Sequence, residues 1–299
     1  MTNDPMLFSL LDLPKFPKIE EKSFKSLKHP VWSEEKANLI REYIRHFTYV
    51  TKHGAYIDGF AAPQRRNMSE ICSARLVLEN EPKWVTRFWL CDIDPHGVTL
   101  LNDIAAANQF KGRRIKVVAG DFNVTVSDIL SSGEITAKKA TFALLDQRTF
   151  ECAWETVEKL ASFKPSLDPE ATKIEIFYFL ATGWLDRSIA AVKKPETAAK
   201  LDRWWGKSDW RELQGMDSIA RANLLVARFK QELGYKYVHP YAIHSRIRGG
   251  RTMYHMIHAT DHPEASPLML RAYRKVSGRS DLDEAATQMD MDAWWKEVE

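Results

Sequence analysis

Tyr56-Ile57-Asp58-Gly59-Phe60-Ala61-Ala62-Pro63-Gln64 is the stretch whose reading decides the fold. It reads as a short buried strand that closes on an acid and then breaks into a loop of small residues. Minimal side chains after an Asp-Gly strand end let a ligand lie against the backbone at the strand's carboxyl edge. In open α/β sheets that edge is where ligands bind. An ordinary strand-to-helix turn looks the same in isolation, so the flanking sequence has to decide.

Upstream, Ser33 is placed to cap a helix, with Glu34 and Glu35 in its first turn, and Ile40, Tyr43, Ile44 and Phe47 recur at helical spacing. Residues 1–30, rich in Pro and Lys without a sustained period, read as an extended N-terminal arm. Downstream comes a basic loop at 65–68, then a helix near 73–79 and a second strand, 87–94, ending in acids. Pro95 suits the first turn of the next helix, which buries Val98, Leu101, Ile104 and Ala105. A third strand at 115–118 runs into Asp121, and a fourth at 141–145 runs into Asp146. A helix at 151–162 and a fifth strand at 174–180 complete the alternation.

Strand-helix repetition of this kind specifies a mostly parallel sheet covered on both faces. The order then changes. Residues 182–233 look helical, and two strand-like runs, 235–246 and 252–260, flank Gly249-Gly250, which permits a tight hairpin. A parallel sheet finishing in an antiparallel hairpin is the Rossmann-like, class I methyltransferase pattern. The expected α/β organisation is one domain over 31–299 with a helical insert near 182–215.

Successive strand ends carry Asp58, Asp92 or Asp94, Asp121 and Asp146, and a parallel sheet sets them along one rim. An acid after the second strand accepts hydrogen bonds from ribose hydroxyls. Asp121 suits an exocyclic amine, with Phe122 stacking on the ring, and the loop of Asp58, Gly59, Phe60 and Ala61 borders the charged end of the ligand. S-adenosylmethionine has this layout of amino acid, ribose and adenine. A nicotinamide dinucleotide would want Gly-x-Gly-x-x-Gly, which is absent. After the fourth strand, Asp146 is a candidate to orient or deprotonate a nucleophile, Gln147 to fix an amide or base edge, and Arg148 to hold an anionic group by two contacts. Phe150 or Trp154 would stack on a flat ring. Equally open is a structural Asp146–Arg148 ion pair that caps the helix after it.

Composition narrows the classes. Hydrophobic residues are 44% and charged residues 28% of 299, an ordinary balance for a globular protein. The net charge of +3 argues for neither nucleic acid nor a membrane surface by itself. Basic groups at Lys111, Arg113 and Arg114 and at Arg246, Arg248 and Arg251 could reach phosphates, or be solvated turn residues. No apolar run approaches bilayer length, and the start lacks signal-peptide character. Cys72, Cys91 and Cys152 are odd in number and without a Cys-x-x-Cys pair, which fits a reducing cytoplasm and no zinc site. Cys152 is a nucleophile candidate or a buried apolar filler. His255 and His258, three apart in a strand, leave opposite faces, so no metal site is expected from them. The tryptophans, Trp204, Trp205, Trp210, Trp294 and Trp295 among them, read first as packing groups.

The chain also resembles the three-Cys-motif partner (TcmP) family of bacterial proteins. The resemblance is carried by the helix containing Trp32 and Lys36, by Tyr56 to Ala61, by Leu144-Leu145-Asp146-Gln147-Arg148-Thr149-Phe150-Glu151-Cys152, by Phe177 to Leu180 with Gly183-Trp184-Leu185-Asp186, and by Met253 to Asp261. It implies a methyltransferase-type fold and a protein partner bearing a three-cysteine motif, of a radical-cluster or phage-protein kind, without a settled reaction. Ala62 and Gln64 stand where the family's first loop carries glycine. Neither does Asp-Gln-Arg-Thr match the Pro-Pro-Tyr or Pro-Pro-Phe run with which amino-methylating enzymes grip a flipped base. The expectation is an S-adenosylmethionine-dependent methyltransferase acting on a planar or anionic acceptor, with a nucleobase or nucleic acid among the candidates. The alternatives are a non-catalytic methyltransferase-like scaffold and a metal-dependent hydrolase of nucleotides or nucleic acid.

Overall fold

A computed structural model describes residues 31–63, 72–107, 110–148, 150–183, 185–244 and 252–277, with side chains from Lys36 onward. The arm at 1–30, Gln64, the basic loop at 65–68, the Arg246, Arg248 and Arg251 group with its hairpin glycines, Thr149, Trp184 and the Trp294–Trp295 pair lie outside the described residues.

Among the described residues seven strands form one sheet in the order β3-β2-β1-β4-β5-β7-β6. They are β1 (Gly54–Asp58), β2 (Val85–Asp92), β3 (Arg114–Ala119), β4 (Thr141–Leu145), β5 (Glu175–Leu180), β6 (Tyr237–His244) and β7 (Thr252–Thr260). β1 pairs in parallel with β2 and β4, β2 with β3, and β4 with β5. β7 enters antiparallel between β5 and β6. This order, with its single reversed strand, is the class I methyltransferase Rossmann-like fold.

Alternation along the strands builds two cores. Ala55 and Ile57 of β1 and Ala143 and Leu145 of β4 face one layer of helices, α4 (Phe122–Ser131), α5 (Trp154–Leu167), α6 (Leu185–Ala190), α7 (Pro195–Trp205) and α8 (Ser218–Gln231). Tyr56, Phe142 and Leu144 face the other layer, α1 (Val31–Thr51), α2 (Ser73–Leu78), α3 (Pro95–Ala106) and α9 (Ala265–Ser277). Successive side chains on a strand leave opposite faces, so both surfaces of these strands read as apolar. That is the mark of a sheet buried on both sides.

Several expected boundaries move. α1 already begins at Val31, which puts Ser33 inside the helix rather than at its cap. β2 stops at Asp92, because Asp94 is taken as the N-cap of α3, where its carboxylate accepts from the His96 amide and Pro95 fills the first helical position. α5 starts at Trp154 rather than at 151, since the loop before it is held open by Gln147. Between β5 and β6 the chain is helical as expected, with a 3₁₀ turn at Ser208–Leu213. Trp204, Trp205 and Trp210 are buried there. No helix among the described residues is long and apolar enough to cross a membrane.

Candidate cofactor and acceptor cleft

The carboxyl ends of β3, β2, β1 and β4 stand side by side, so the rim carries Asp121, Asp92, Asp58 and Asp146 in that order. The loop after β1 is zipped to both neighbours: the Gly59 amide donates to the Leu144 carbonyl at 3.0 Å and the Ala61 amide to the Cys91 carbonyl at 2.8 Å. Connections from β1 and β4 leave in opposite directions along the sheet, which opens a crevice between them. A cleft of about 480 Å³ occupies it, within the range of small-molecule sites.

Asp92 forms one wall. Its Oδ2 accepts from the Ala62 amide at 3.0 Å and its Oδ1 from the Asp94 amide at 2.9 Å. Each oxygen keeps a second lone pair. The packing around it is tight: a Cβ on Gly97 would fall 2.5 Å from the Ala62 Cβ and 3.4 Å from the Asp92 carboxyl group. Gly97 therefore lets the first turn of α3 press against the β1 loop. Beside Asp92, Ile93 lines the cleft with 49% of its surface exposed. In the sequence it falls inside the second expected strand, and an apolar residue directly after a strand-end acid is the signal that marks it.

Asp121 also lines the cleft. Its Oδ1 caps α4 by accepting from the Asn123 amide at 2.9 Å and from Asn123 Nδ2 at 2.7 Å. Among the described residues its Oδ2 has no hydrogen bond. Asn123, missed in the sequence, is the tie across the cleft floor: its Nδ2 donates to the Glu151 carbonyl, and its Oδ1 accepts from the Ala153 amide and the Thr156 hydroxyl, each at 2.8 Å. Phe122 does not offer the open stacking face expected of it. Its ring is 2% exposed, meets Phe60 edge-on at 6.0 Å, and lies so close over Gly59 that a Cβ there would sit 2.7 Å away. The close approach that Gly59 permits is taken by the protein's own ring.

Asp58 is buried behind the cleft and does not line it. It accepts from the Tyr56 hydroxyl and the Phe60 amide, both at 3.2 Å. Burial, reinforced by the charge of Asp146, pushes its carboxyl group up to about 8. Asp94, used as a helix cap, is likewise absent from the lining, as is Ala61.

Asp146 lines the cleft, and its partner is Lys36 of α1 rather than Arg148. The Lys36 ammonium bridges both carboxylate oxygens at 2.7 Å and lies over the Phe179 and Tyr254 rings, 5.5 and 5.6 Å from their centroids. Gln147 turns away from the cleft: its Nε2 donates to the Phe179 carbonyl at 3.2 Å and its Oε1 accepts from the Cys152 amide at 2.9 Å. With both ends engaged and the residue buried, it holds the loop instead of reading a substrate. Cys152 is buried with its thiol pushed far up by desolvation, so it is an apolar filler. Arg148 lines the cleft with no ion-pair partner among the described residues. Opposite it, α7 contributes Glu196, Lys200, Arg203 and Trp204, and Phe150 packs on Trp204 at 4.6 Å. The cleft is thus acidic at the strand ends and mostly basic at its outer wall.

The two histidines of β7 part as their spacing requires. His258 bonds Glu175 at 2.8 Å on one face, and His255 bonds Thr182 at 2.9 Å on the other. Among the described residues no group of three or more His, Cys, Asp or Glu side chains is gathered as for a metal ion.

No protein-family model and no curated protein match the chain. Among solved structures it is similar to the methyltransferase domain of bacterial CtHen1-CN, with 7% identity and a TM-score of 0.43 over 77% of this chain and 99% of that one. It is also similar to Trm5b from Pyrococcus abyssi, with 16% identity and a TM-score of 0.33 over 75% of this chain. The matched part spans about half of that protein, 48% of its length.

Proposed function

We propose that the protein is an S-adenosylmethionine-dependent methyltransferase acting on a planar acceptor that carries negative charge, a nucleobase in a nucleotide or nucleic acid. The observation that carries this reading is Asp92, a strand-end carboxylate whose oxygens each hold one backbone amide and keep a lone pair for a ribose hydroxyl. The neighbouring groups fit the rest of the cofactor. Ile93 gives an apolar face for the adenine ring, and Asp121 Oδ2 gives an acceptor for its exocyclic amine. When bound, the cofactor supplies an electrophilic methyl group on a sulfonium centre.

The chain's own work is then placement, which dominates in-line displacements. The Lys36 bridge holds both oxygens of Asp146, so the carboxylate has one fixed orientation from which to accept a proton from, or align, the acceptor nucleophile. Arg148 and Arg203 face the cleft as anchors for a phosphate. Membership of the three-Cys-motif partner family, and a protein partner bearing that motif, belong to the same proposal and rest on the sequence resemblance alone.

A specific observation favours a second reading, a non-catalytic scaffold: the Phe122 ring occupies the space over Gly59 where a cofactor would approach the backbone. Calorimetric titration with S-adenosylmethionine and S-adenosylhomocysteine separates the two. Saturable binding, weakened about tenfold or more by Asp92→Ala because charge-assisted hydrogen bonds of ~1.5–3 kcal/mol each are lost, supports the methyltransferase. Asp146→Ala should leave that binding largely intact and abolish turnover. Absence of binding at millimolar ligand would leave the scaffold reading standing.

A further inference from the structure

At the opposite, amino edge of the sheet a second recess carries chemistry that the cleft does not use. It lies where β4 and β5 begin and β7 ends, walled by α1, α5 and α9, with a volume of about 70 Å³. That is several times the ~10–15 Å³ needed by one ordered water on the same measure.

The polar groups around it differ in how far they are satisfied. Glu175 accepts from the Tyr43 hydroxyl, from His258 Nε2 at 2.8 Å and from the Thr260 hydroxyl at 3.4 Å, so its carboxylate is well supplied with donors. The Lys173 ammonium donates to the Gly234 carbonyl at 2.9 Å and pairs with Asp261 at 3.4 Å. Lys164 is the exception. It is 1% exposed, lines the recess, and has no hydrogen-bond or ion-pair partner among the described residues. An ammonium has three donors and no acceptor, and buried donors left unmet are destabilising. Burial pushes the Lys164 ammonium down to about 8, with Glu175 opposing the shift.

Glu175 brings negative charge to the recess, but its oxygens accept from Tyr43, His258 and Thr260, so what the site lacks is a hydrogen-bond acceptor for the Lys164 ammonium. We propose that this recess binds a small oxyanion, a carboxylate or an inorganic phosphate, with the Lys164 ammonium as its anchor. Lys173, already paired with Asp261, lines the same recess, and Phe47 and Leu268 give an apolar side that suits a short hydrocarbon tail on a carboxylate. The site is at the edge of the sheet opposite the Asp92 cleft, so it does not rest on the methyltransferase reading.

The test is thermal unfolding of the full chain and of Lys164→Met at constant ionic strength, with chloride replaced stepwise by acetate in one arm and phosphate in another. A saturable rise in the wild-type midpoint in either arm, absent from Lys164→Met, upholds the site, and the arm with the larger rise identifies the ligand class. A rise only in acetate makes it a carboxylate site. No rise in either arm, or the same rise in Lys164→Met, overturns the proposal. Should Lys164→Met fail to fold, wild-type protein with ¹³C-labelled lysine gives the second readout. One Cε resonance must then move with the same saturation curve, and static lysine resonances overturn the proposal.

Discussion

Gln147 shows how little a residue's position in a motif says about what its side chain does. Sitting between the cleft residues Asp146 and Arg148, it turns into the protein, and its amide joins the end of β5 to the loop before α5 through Phe179 and Cys152. Both contacts are directional, a donor toward a carbonyl and an acceptor toward an amide. Gln147→Glu keeps the volume and reverses one of them, setting a carboxylate oxygen against the Phe179 carbonyl. Leaving a buried carbonyl unpaired and burying a charge together should cost about 2–4 kcal/mol at neutral pH, read as a lower urea midpoint that partly recovers in acid as the glutamate protonates. An unchanged midpoint would mean that the loop does not depend on this clamp. The acids of the rim were legible in the sequence because each closes its strand or follows it within two residues. The Lys36–Asp146 pair was not, since 110 residues separate the partners and only the seating of α1 against the sheet brings them together.

Among the elements, the central strands β4 and β5 announced themselves by their apolar runs, whereas α7 did not reveal its place over the cleft. Lys200 and Arg203 have the spacing of a solvated helix face, and nothing local distinguishes such a face from the wall of a site. What fixes α7 is its end. Gly206 is left-handed, with φ 78°, and a Cβ there would lie 2.7 Å from Trp154 Cδ1. Arg228 is stacked between that tryptophan and Trp205, with its guanidinium 3.9 and 4.3 Å from the two ring centroids, and donates to the Trp205 carbonyl at 2.6 Å. A displaced Trp154 would therefore disturb the arginine and the last turn of α7. Gly215 is the natural control, because its φ is also positive, at 80°, and an added Cβ would meet nothing within 4 Å. Gly215→Ala should cost only the left-handed backbone penalty of ~1–2 kcal/mol. Gly206→Ala should cost at least ~1 kcal/mol more, from displaced packing. Equal losses in denaturant unfolding would show that the Trp154 contact yields freely.

At the scale of the whole molecule, buried titratable groups on different parts of the sheet set opposing limits on stability. Asp58, behind the cleft, is raised from 3.8 to about 8 by burial and by Asp146. Between those values the folded protein holds a proton that the unfolded chain does not, so stability falls as pH rises. His239 and His255, on the closing hairpin, are lowered from 6.5 to about 4, chiefly by desolvation. Between those values the unfolded chain holds two protons that the folded protein does not, and stability falls as pH falls. From about pH 4 to 6.5 two histidines outweigh one aspartate and the net slope is upward; from 6.5 to 8 Asp58 acts alone and the slope is downward. The thermal midpoint at constant ionic strength should therefore peak near pH 6.5. A tenfold difference in proton affinity between folded and unfolded chain is worth about 1.4 kcal/mol, which makes both limbs measurable. Asp58→Asn imitates the protonated acid, still able to accept from the Phe60 amide, and should remove the alkaline limb, lifting the midpoint at pH 8 while leaving the acid limb in place. A variant whose profile runs parallel to the wild type through pH 8 would show that Asp58 is ionised in the folded protein.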